Sequence, residues 1–158
     1  MFQELVASID YPMFIVTTGA GGRKAGCLVG FVTQASLKPA RMLVCLSRAN
    51  HTFGVAQQAG VLVVHFLGTS DRDLARLFGE ETGDDTDKFD RCSWEPGPDG
   101  APVLTQCKGW TVATILERFD CGDHMAFLVD PISAEANRPD EPQLSFQQVR
   151  DLEPGHPA

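Results

Sequence analysis

Short β-favouring segments alternate with turn residues along most of this chain, and this alternation constrains its fold more than any other feature. Only two short helices are predicted: one starts at Asn50 or Thr52 and runs through Gln58, and the other starts within residues 70–73 and ends at Gly79. Because the strands do not alternate regularly with helices, the pattern favours a mainly β, antiparallel barrel with short flanking helices over a Rossmann domain. The segments with strand composition are residues 13–18, 25–33, 41–47, 61–67, 108–119 and 125–135.

The segment Ala25–Ser36 has strand composition but is interrupted by Gly30. A bare backbone position inside a strand allows a flat ligand or another chain to come close. About a dozen residues later, Ser47–Thr52 brings hydroxyls, an arginine and an asparagine to a predicted helix start, which suits a phosphate. A planar group on one segment and a phosphate on the next predict a mononucleotide-type cofactor, with FMN as the first candidate.

Length, charge and cysteine usage narrow the function classes. The 158 residues fit one domain, and the net charge of −8 argues against nucleic acid and anionic membranes as partners. No apolar run approaches the ~20 residues that span a bilayer, and Met1–Asp10 does not resemble a signal peptide. The five cysteines have neither disulfide-framework nor metal-ligand spacing, so we expect no metal and a reducing, cytoplasmic location.

The order of motifs resembles the flavin reductase-like family, whose members have an FMN-binding split β-barrel. The resemblance covers roughly residues 9–135. No single motif is highly specific, but the ordered set across most of the chain is fairly specific. The motifs are Tyr11-Pro12 with Val16-Thr17-Thr18, the strand Gly26–Ser36, the break Leu37-Lys38-Pro39, Val44–Arg48 with Asn50 and Thr52, Asp87-Lys88-Phe89, Trp94, and the turn Gly122-Asp123-His124.

The resemblance implies a homodimer that binds FMN, or FAD, near the subunit interface and reduces it with NADH or NADPH. It implies that the turn ending at His124 contacts the nicotinamide nucleotide. The residues implied for the flavin are Leu28, Val29, Gly30, Thr33, Gln34, Ala35 and Ser36 along the ring system, and Ser47, Arg48, Asn50 and Thr52 around the phosphate. Three further candidates come from the residues themselves: Cys27 lies in the presumed flavin strand, His51 lies in the phosphate turn, and the Phe89 ring could stack on the nicotinamide.

This chain departs from the family at several of these positions. Many members have Ser or Thr where Val29 and Gly30 stand, so backbone amides must hold the ring here. The usual double proline after the break is Pro39-Ala40. The predicted activity is hydride transfer from NAD(P)H to the bound flavin. The reduced flavin would then supply electrons to an acceptor such as a monooxygenase component.

Each candidate residue also has a structural explanation. Arg48 suits a solvated surface, His124 suits a hairpin, and Phe89 with Trp94 suits a core or an interface. Cys27 is expected to be structural, because no paired base accompanies it.

Two other functions stay open at this point. The chain could be an FMN-binding electron carrier reduced by a protein donor, or a split-barrel module that binds a ligand or serves assembly without catalysis.

The domain is predicted over residues 1–135. An acidic loop is expected from Glu80 to Asp87, and a C-terminal segment, 136–158, is expected to lie on the surface or against a dimer partner.

Overall fold

The computed structural model describes residues 1–80 and 87–152. The acidic loop predicted from Glu80 to Asp87 falls mostly outside these residues, as does the end of the C-terminal segment. The strands are β1 Phe14–Ala20, β2 Arg23–Val29, β3 Val32–Ser36, β4 Arg41–Ser47, β5 Val61–Phe66, β6 Glu95–Pro96, β7 Pro102–Val103, β8 Gly109–Asp120 and β9 His124–Ala136. The helices are α1 Phe2–Ala7, α2 His51–Ala56, α3 Arg72–Glu80 and α4 Phe146–Val149.

Seven of the strands form one sheet in the order β2-β1-β5-β8-β9-β4-β3, and all of its neighbouring pairs are antiparallel. The edge strands β2 and β3 follow each other in the chain and are joined only by Gly30 and Phe31. The three Cα–Cα steps of this link reach at most about 11 Å. The sheet must therefore curl until its two edges meet at the link, and the mainly β, antiparallel split barrel expected from the sequence is confirmed.

The alternation of side chains along β1 separates two hydrophobic cores. Phe14 and Val16 lie in a core to which β1, β2, β4, β5, β8, β9 and α2 all contribute, which places it inside the barrel. Met13 and Ile15 face a second core on the outer side of the sheet, which α3 covers with Leu77 and Phe78. The strand β5 is buried along nearly its whole length, as its continuous apolar run predicts.

Helix α2 starts as predicted. The Asn50 side chain caps it by accepting a hydrogen bond of 2.9 Å from the Thr52 amide, and Phe53 and Ala56 extend the barrel interior. The C-terminal segment lies against the same body: the Leu144 amide donates to the Leu67 carbonyl at 2.9 Å and the Leu144 carbonyl accepts from Met13 at 2.8 Å.

Several features differ from the sequence-based expectation. The single strand predicted over residues 25–33 is wrong: it is two strands, because β2 pairs with β1 and β3 pairs with β4. Helix α1 was not anticipated, because it buries none of its side chains. The turn between β1 and β2 is also shorter than expected, since Gly21 and Gly22 both adopt positive φ angles, as in the tight turns that favour hairpins.

One buried histidine joins three parts of the fold. His65 of β5 is fully buried, its Nε2 accepts from the Leu104 amide at 2.9 Å, and its Nδ1 lies 2.9 Å from the Ile15 carbonyl. Because Nε2 is an acceptor, the proton sits on Nδ1 and is donated to Ile15. Burial of this neutral ring lowers the pKa of His65 to about 4.

The stability of the protein should therefore fall in mild acid. Between the ordinary histidine pKa of 6.5 and the folded value of about 4, only the unfolded chain binds a proton at position 65. As the pH is lowered across this window, the free energy of unfolding of the parent protein should decrease. This decrease should exceed that of His65→Gln by up to about 3 kcal/mol. Urea unfolding at a series of pH values measures the difference, and parallel pH profiles for the two proteins would exclude a role of His65.

Candidate functional site

A cavity of about 390 Å³ opens at the split of the barrel. Its walls come from the end of β2, the two-residue link, the end of β4 and the first residue of β9. Its size lies in the range of small-molecule sites, which is roughly 300–1,000 Å³. The lining residues are Tyr11, Met13, Cys27, Leu28, Val29, Gly30, Phe31, Cys45, Leu46, Ser47, Asn50, His124 and Phe146.

The backbone of β2 contributes one wall of this cavity. Among the described strands, β2 pairs with β1 alone, so alternate N–H and C=O groups on its other side point away from the sheet. Those groups belong to the strand whose residues 27–29 line the cavity. Val29 and Gly30 carry no polar side chain, so the hydrogen bonds that this wall offers come from the backbone.

Four rings form a second wall. Phe146 stacks on Tyr11 with ring centroids 4.8 Å apart, Tyr11 lies 6.2 Å from Phe31, and Phe31 lies 5.0 Å from the imidazole of His124. Burial raises the pKa of the Tyr11 phenol, with a smaller contribution from Asp10, so the phenol stays protonated. The cavity thus combines a polar backbone edge with aromatic surface, which suits a flat heteroaromatic ring.

The turn before α2 contributes polar side chains. Ser47 and Asn50 both line the cavity. The Ser47 hydroxyl oxygen accepts from the Ala49 amide at 3.2 Å, and Thr52 is buried below this turn. Cys27 is also buried, and desolvation raises the pKa of its thiol above the ordinary value. Its protonated thiol is inert, which agrees with the structural role expected for it.

The Arg48 side chain bonds groups of the protein itself. Its Nη2 lies 2.6 Å from a carboxylate oxygen of Asp120, and its Nε donates to the Gly122 carbonyl at 2.9 Å. The ion pair and a hydrogen bond from the Gly122 amide hold the pKa of Asp120 below its usual range. Arg48 therefore joins the turn before α2 to the hairpin between β8 and β9.

The structure brings together about half of the predicted site residues. The predicted residues that line the cavity are Cys27, Leu28, Val29, Gly30, Ser47, Asn50 and His124. Four others lie on β3, where Thr33, Gln34 and Ala35 are exposed and Ser36 is half-buried. His51 is half-buried in the first turn of α2. Phe89 is buried in the outer core between Phe78 and Trp94.

Sequence reasoning missed Met13, Phe31, Cys45, Leu46 and the rings of Tyr11 and Phe146 as parts of the site. The Tyr11-Pro12 motif was part of the family resemblance but was assigned no contact with a ligand, and Phe146 belonged only to the C-terminal segment expected on the surface or against a dimer partner. The signal was the presence of aromatic residues at both ends of the chain, but nothing local shows that these ends meet.

The described residues contain neither a cluster suited to a metal ion nor a helix suited to a bilayer. No cluster of three or more His, Cys, Asp or Glu side chains there is arranged to hold a metal ion. None of the helices in residues 1–80 and 87–152 is long and apolar enough to cross a bilayer. All five cysteines are free thiols.

A family model described as "Flavin reductase like domain" matches residues 6–153 of the chain. The chain belongs to this flavin reductase-like family. The match extends beyond residues 9–135, over which the motifs were noticed, and includes most of the C-terminal segment.

Known relatives agree with this membership. The ferric-chelate reductase (NAD(P)H) of Archaeoglobus fulgidus is 29% identical over 84% of this chain and 79% of its own length. The FMN reductase (NADH) RutF of Methylorubrum extorquens is 31% identical over 78% of this chain, but the match spans only 60% of that relative. The crystal structure of a flavin reductase domain protein from Arthrobacter sp. FB24 superposes with a TM-score of 0.84 at 21% identity, covering 99% of this chain and 94% of that one, which shows the same fold.

In this flavin reductase-like barrel, Gly30 should tolerate no side chain. A Cβ at this position would overlap the Tyr11 ring and approach the Met13 sulfur to 3.3 Å. We expect Gly30→Ala to lose about 1–3 kcal/mol of stability in urea unfolding, because the aromatic wall must move.

Gly54→Ala is the matched control for this substitution. A Cβ at Gly54 meets no atom within 4 Å, and the residue lies inside α2. This variant should be neutral or gain up to about 1 kcal/mol, since alanine favours a helix more than glycine does. Equal stabilities of the two variants would contradict the close approach of Tyr11 to the link.

Proposed function

We propose that this protein is an NAD(P)H-dependent flavin reductase that binds FMN, or FAD, in the cavity at the split of the barrel. The observation that carries the proposal is the combination of a one-sided strand edge on β2 with a wall of aromatic rings. The names of two relatives support it, since one is an FMN reductase that uses NADH and the other a reductase that uses NAD(P)H.

The residues present fit a flavin. The backbone from Cys27 to Gly30 offers donors to the polar edge of a ring, and the absence of a side chain at Gly30 keeps Tyr11 against this segment. Ser47 and Asn50, in the turn before α2, are the cavity-lining residues that would lie near a phosphate chain. Thr33, Gln34, Ala35 and Ser36 stay candidate contacts, because β3 continues from the link and is largely exposed.

FMN, when bound, supplies an acceptor for the hydride of a reduced nicotinamide. The protein then has to place two rings together and exclude water, so catalysis is mainly positioning, and no side-chain acid or base is needed. Backbone N–H groups of β2 would stabilise negative charge on a reduced ring. The buried Cys27 thiol and the protonated Tyr11 phenol keep this wall uncharged.

His124 is the residue that we propose to contact the nicotinamide nucleotide. Its ring borders the cavity beside Phe31, and its Nδ1 lies 2.7 Å from a carboxylate oxygen of Asp123. This contact orients the ring and leaves Nε2 on the opposite side of the imidazole. Phe89 lies in the outer core instead, so its position does not support a contact with the nicotinamide nucleotide.

We further propose that the protein acts as a homodimer. Phe2, Leu5 and Val6 of the N-terminal helix are spaced as one helical face and are exposed, and Ile9, just beyond the helix, is exposed as well. A face of this kind is normally covered in a stable assembly.

The reduced flavin would pass electrons to an acceptor such as a monooxygenase component. The five free thiols suit a reducing compartment, namely the cytoplasm.

The purified protein tests the activity directly. We expect a flavin spectrum, or saturable FMN binding at micromolar concentration, and oxidation of NADH or NADPH that depends on flavin. If bound flavin is bleached by dithionite but by neither nucleotide, the protein is an electron carrier and the reductase proposal fails. If neither FMN nor FAD binds at micromolar concentration, the flavin site itself is wrong.

A further inference from the structure

Arg48 makes three hydrogen bonds to the turn that joins β8 to β9. Its side chain reaches the Asp120 carboxylate at 2.6 Å and the Gly122 carbonyl at 2.9 Å, and its amide donates to the Asp123 carbonyl at 2.9 Å. The turn itself is closed by the Gly122 amide, which donates to Asp120 at 3.1 Å. Arg48 and this turn, residues 120–124, therefore form one hydrogen-bonded unit.

This unit connects the turn beside the proposed flavin cavity with His124, the residue proposed to contact the nicotinamide nucleotide. Ser47, next to Arg48, faces the cavity and pairs directly with His124 across β4 and β9. His124 is in turn oriented by Asp123, whose carbonyl accepts from the Arg48 amide. A shift of the turn would move the His124 ring relative to Phe31 and to the cavity.

The strength of the connection comes from its geometry more than from its charge. The side chains of Arg48 and Asp120 are 37% and 73% exposed, and an isolated exposed ion pair contributes little. Here the guanidinium also bonds a backbone carbonyl and lies 5.4 Å from the centre of the Phe53 ring, so its conformation is held from two sides. Gly122 adopts a φ of 117°, which a residue with a side chain rarely adopts, and this conformation lets the turn present its carbonyl to Arg48.

We infer that Arg48 is a positioning residue for the nicotinamide side of the site: with Asp120 it holds the turn 120–124 so that His124 borders the cavity. The inference rests on the proposed function. It assigns Arg48 a different role from the phosphate contact that the family resemblance implies, because the side chain is bonded to the turn itself.

Single variants separate the two roles. Arg48→Met removes all side-chain bonds to the turn, whereas Asp120→Asn keeps the arginine charge and weakens only the connection. If Arg48 positions the turn, both variants should raise the KM for NADH roughly three- to tenfold, with the FMN dissociation constant within about twofold of the parent. The double variant should be no worse than the poorer single variant, because both remove the same connection.

Hydrogen exchange provides a readout that does not depend on turnover. In the ligand-free protein, amides of residues 120–126 should exchange roughly three- to tenfold faster in both variants than in the parent. Arg41→Met is the matched control: it breaks an ion pair of 2.9 Å to Asp130 that also joins β4 to β9, but at the opposite end of the strands. It should leave the exchange of the turn and the KM for NADH unchanged.

Two results would overturn the inference. One is unchanged exchange of the turn in Arg48→Met. The other is a tenfold or greater loss of FMN affinity in Arg48→Met without any loss in Asp120→Asn, which would make Arg48 a phosphate ligand. If the parent protein binds no flavin and oxidises no NADH, the proposed function fails, while the exchange experiment still decides whether Arg48 holds the turn.

Discussion

The structure depends on the two-residue link between the edge strands of its sheet. Gly30 and Phe31 join β2 to β3, although these strands lie at opposite ends of the sheet order. Because β2 pairs with β1 and β3 pairs with β4 instead of with each other, a link this short forces the sheet to close. The result is a barrel with a split, and the open edge of β2 borders a cavity there instead of another strand.

The chemistry of the cavity follows from this constraint. The chain needs no polar side chains at Val29 and Gly30, because the edge of β2 presents backbone groups. The remaining walls are aromatic, aliphatic or carry small polar groups, and the buried thiol and half-buried phenol that border them stay uncharged. Such a site can hold and orient a flat ring and tune its charge through fixed dipoles, while the ring supplies the reactivity.

Features with local causes could be predicted from the sequence. The cap at Asn50, the continuous apolar run of β5 and the long hairpin of β8 and β9 all depend on residues close in the chain, and the structure confirms them. The ordered motifs also predicted the family, which the family model confirms.

Features that depend on contacts between residues far apart in the sequence could not be predicted from it. The segment around Gly30 has strand composition on both sides, and composition does not show that the two halves pair with different strands. Tyr11 and Phe146 come from opposite ends of the chain and stack only because the C-terminal segment returns beside β1. Arg48 was interpreted from its neighbours in sequence, whereas its partners lie on the β8–β9 hairpin.

In the proposed function, the backbone of β2 and of the link holds the flavin. Amide chemical shifts of isotope-labelled protein, followed by NMR during titration with FMN, report on this contact. We expect the largest shifts on residues 27–31 and smaller ones at Ser47 and Asn50. Shifts concentrated instead around the separate cavity that Asp71 and Arg138 border, with residues 27–31 unchanged, would contradict it.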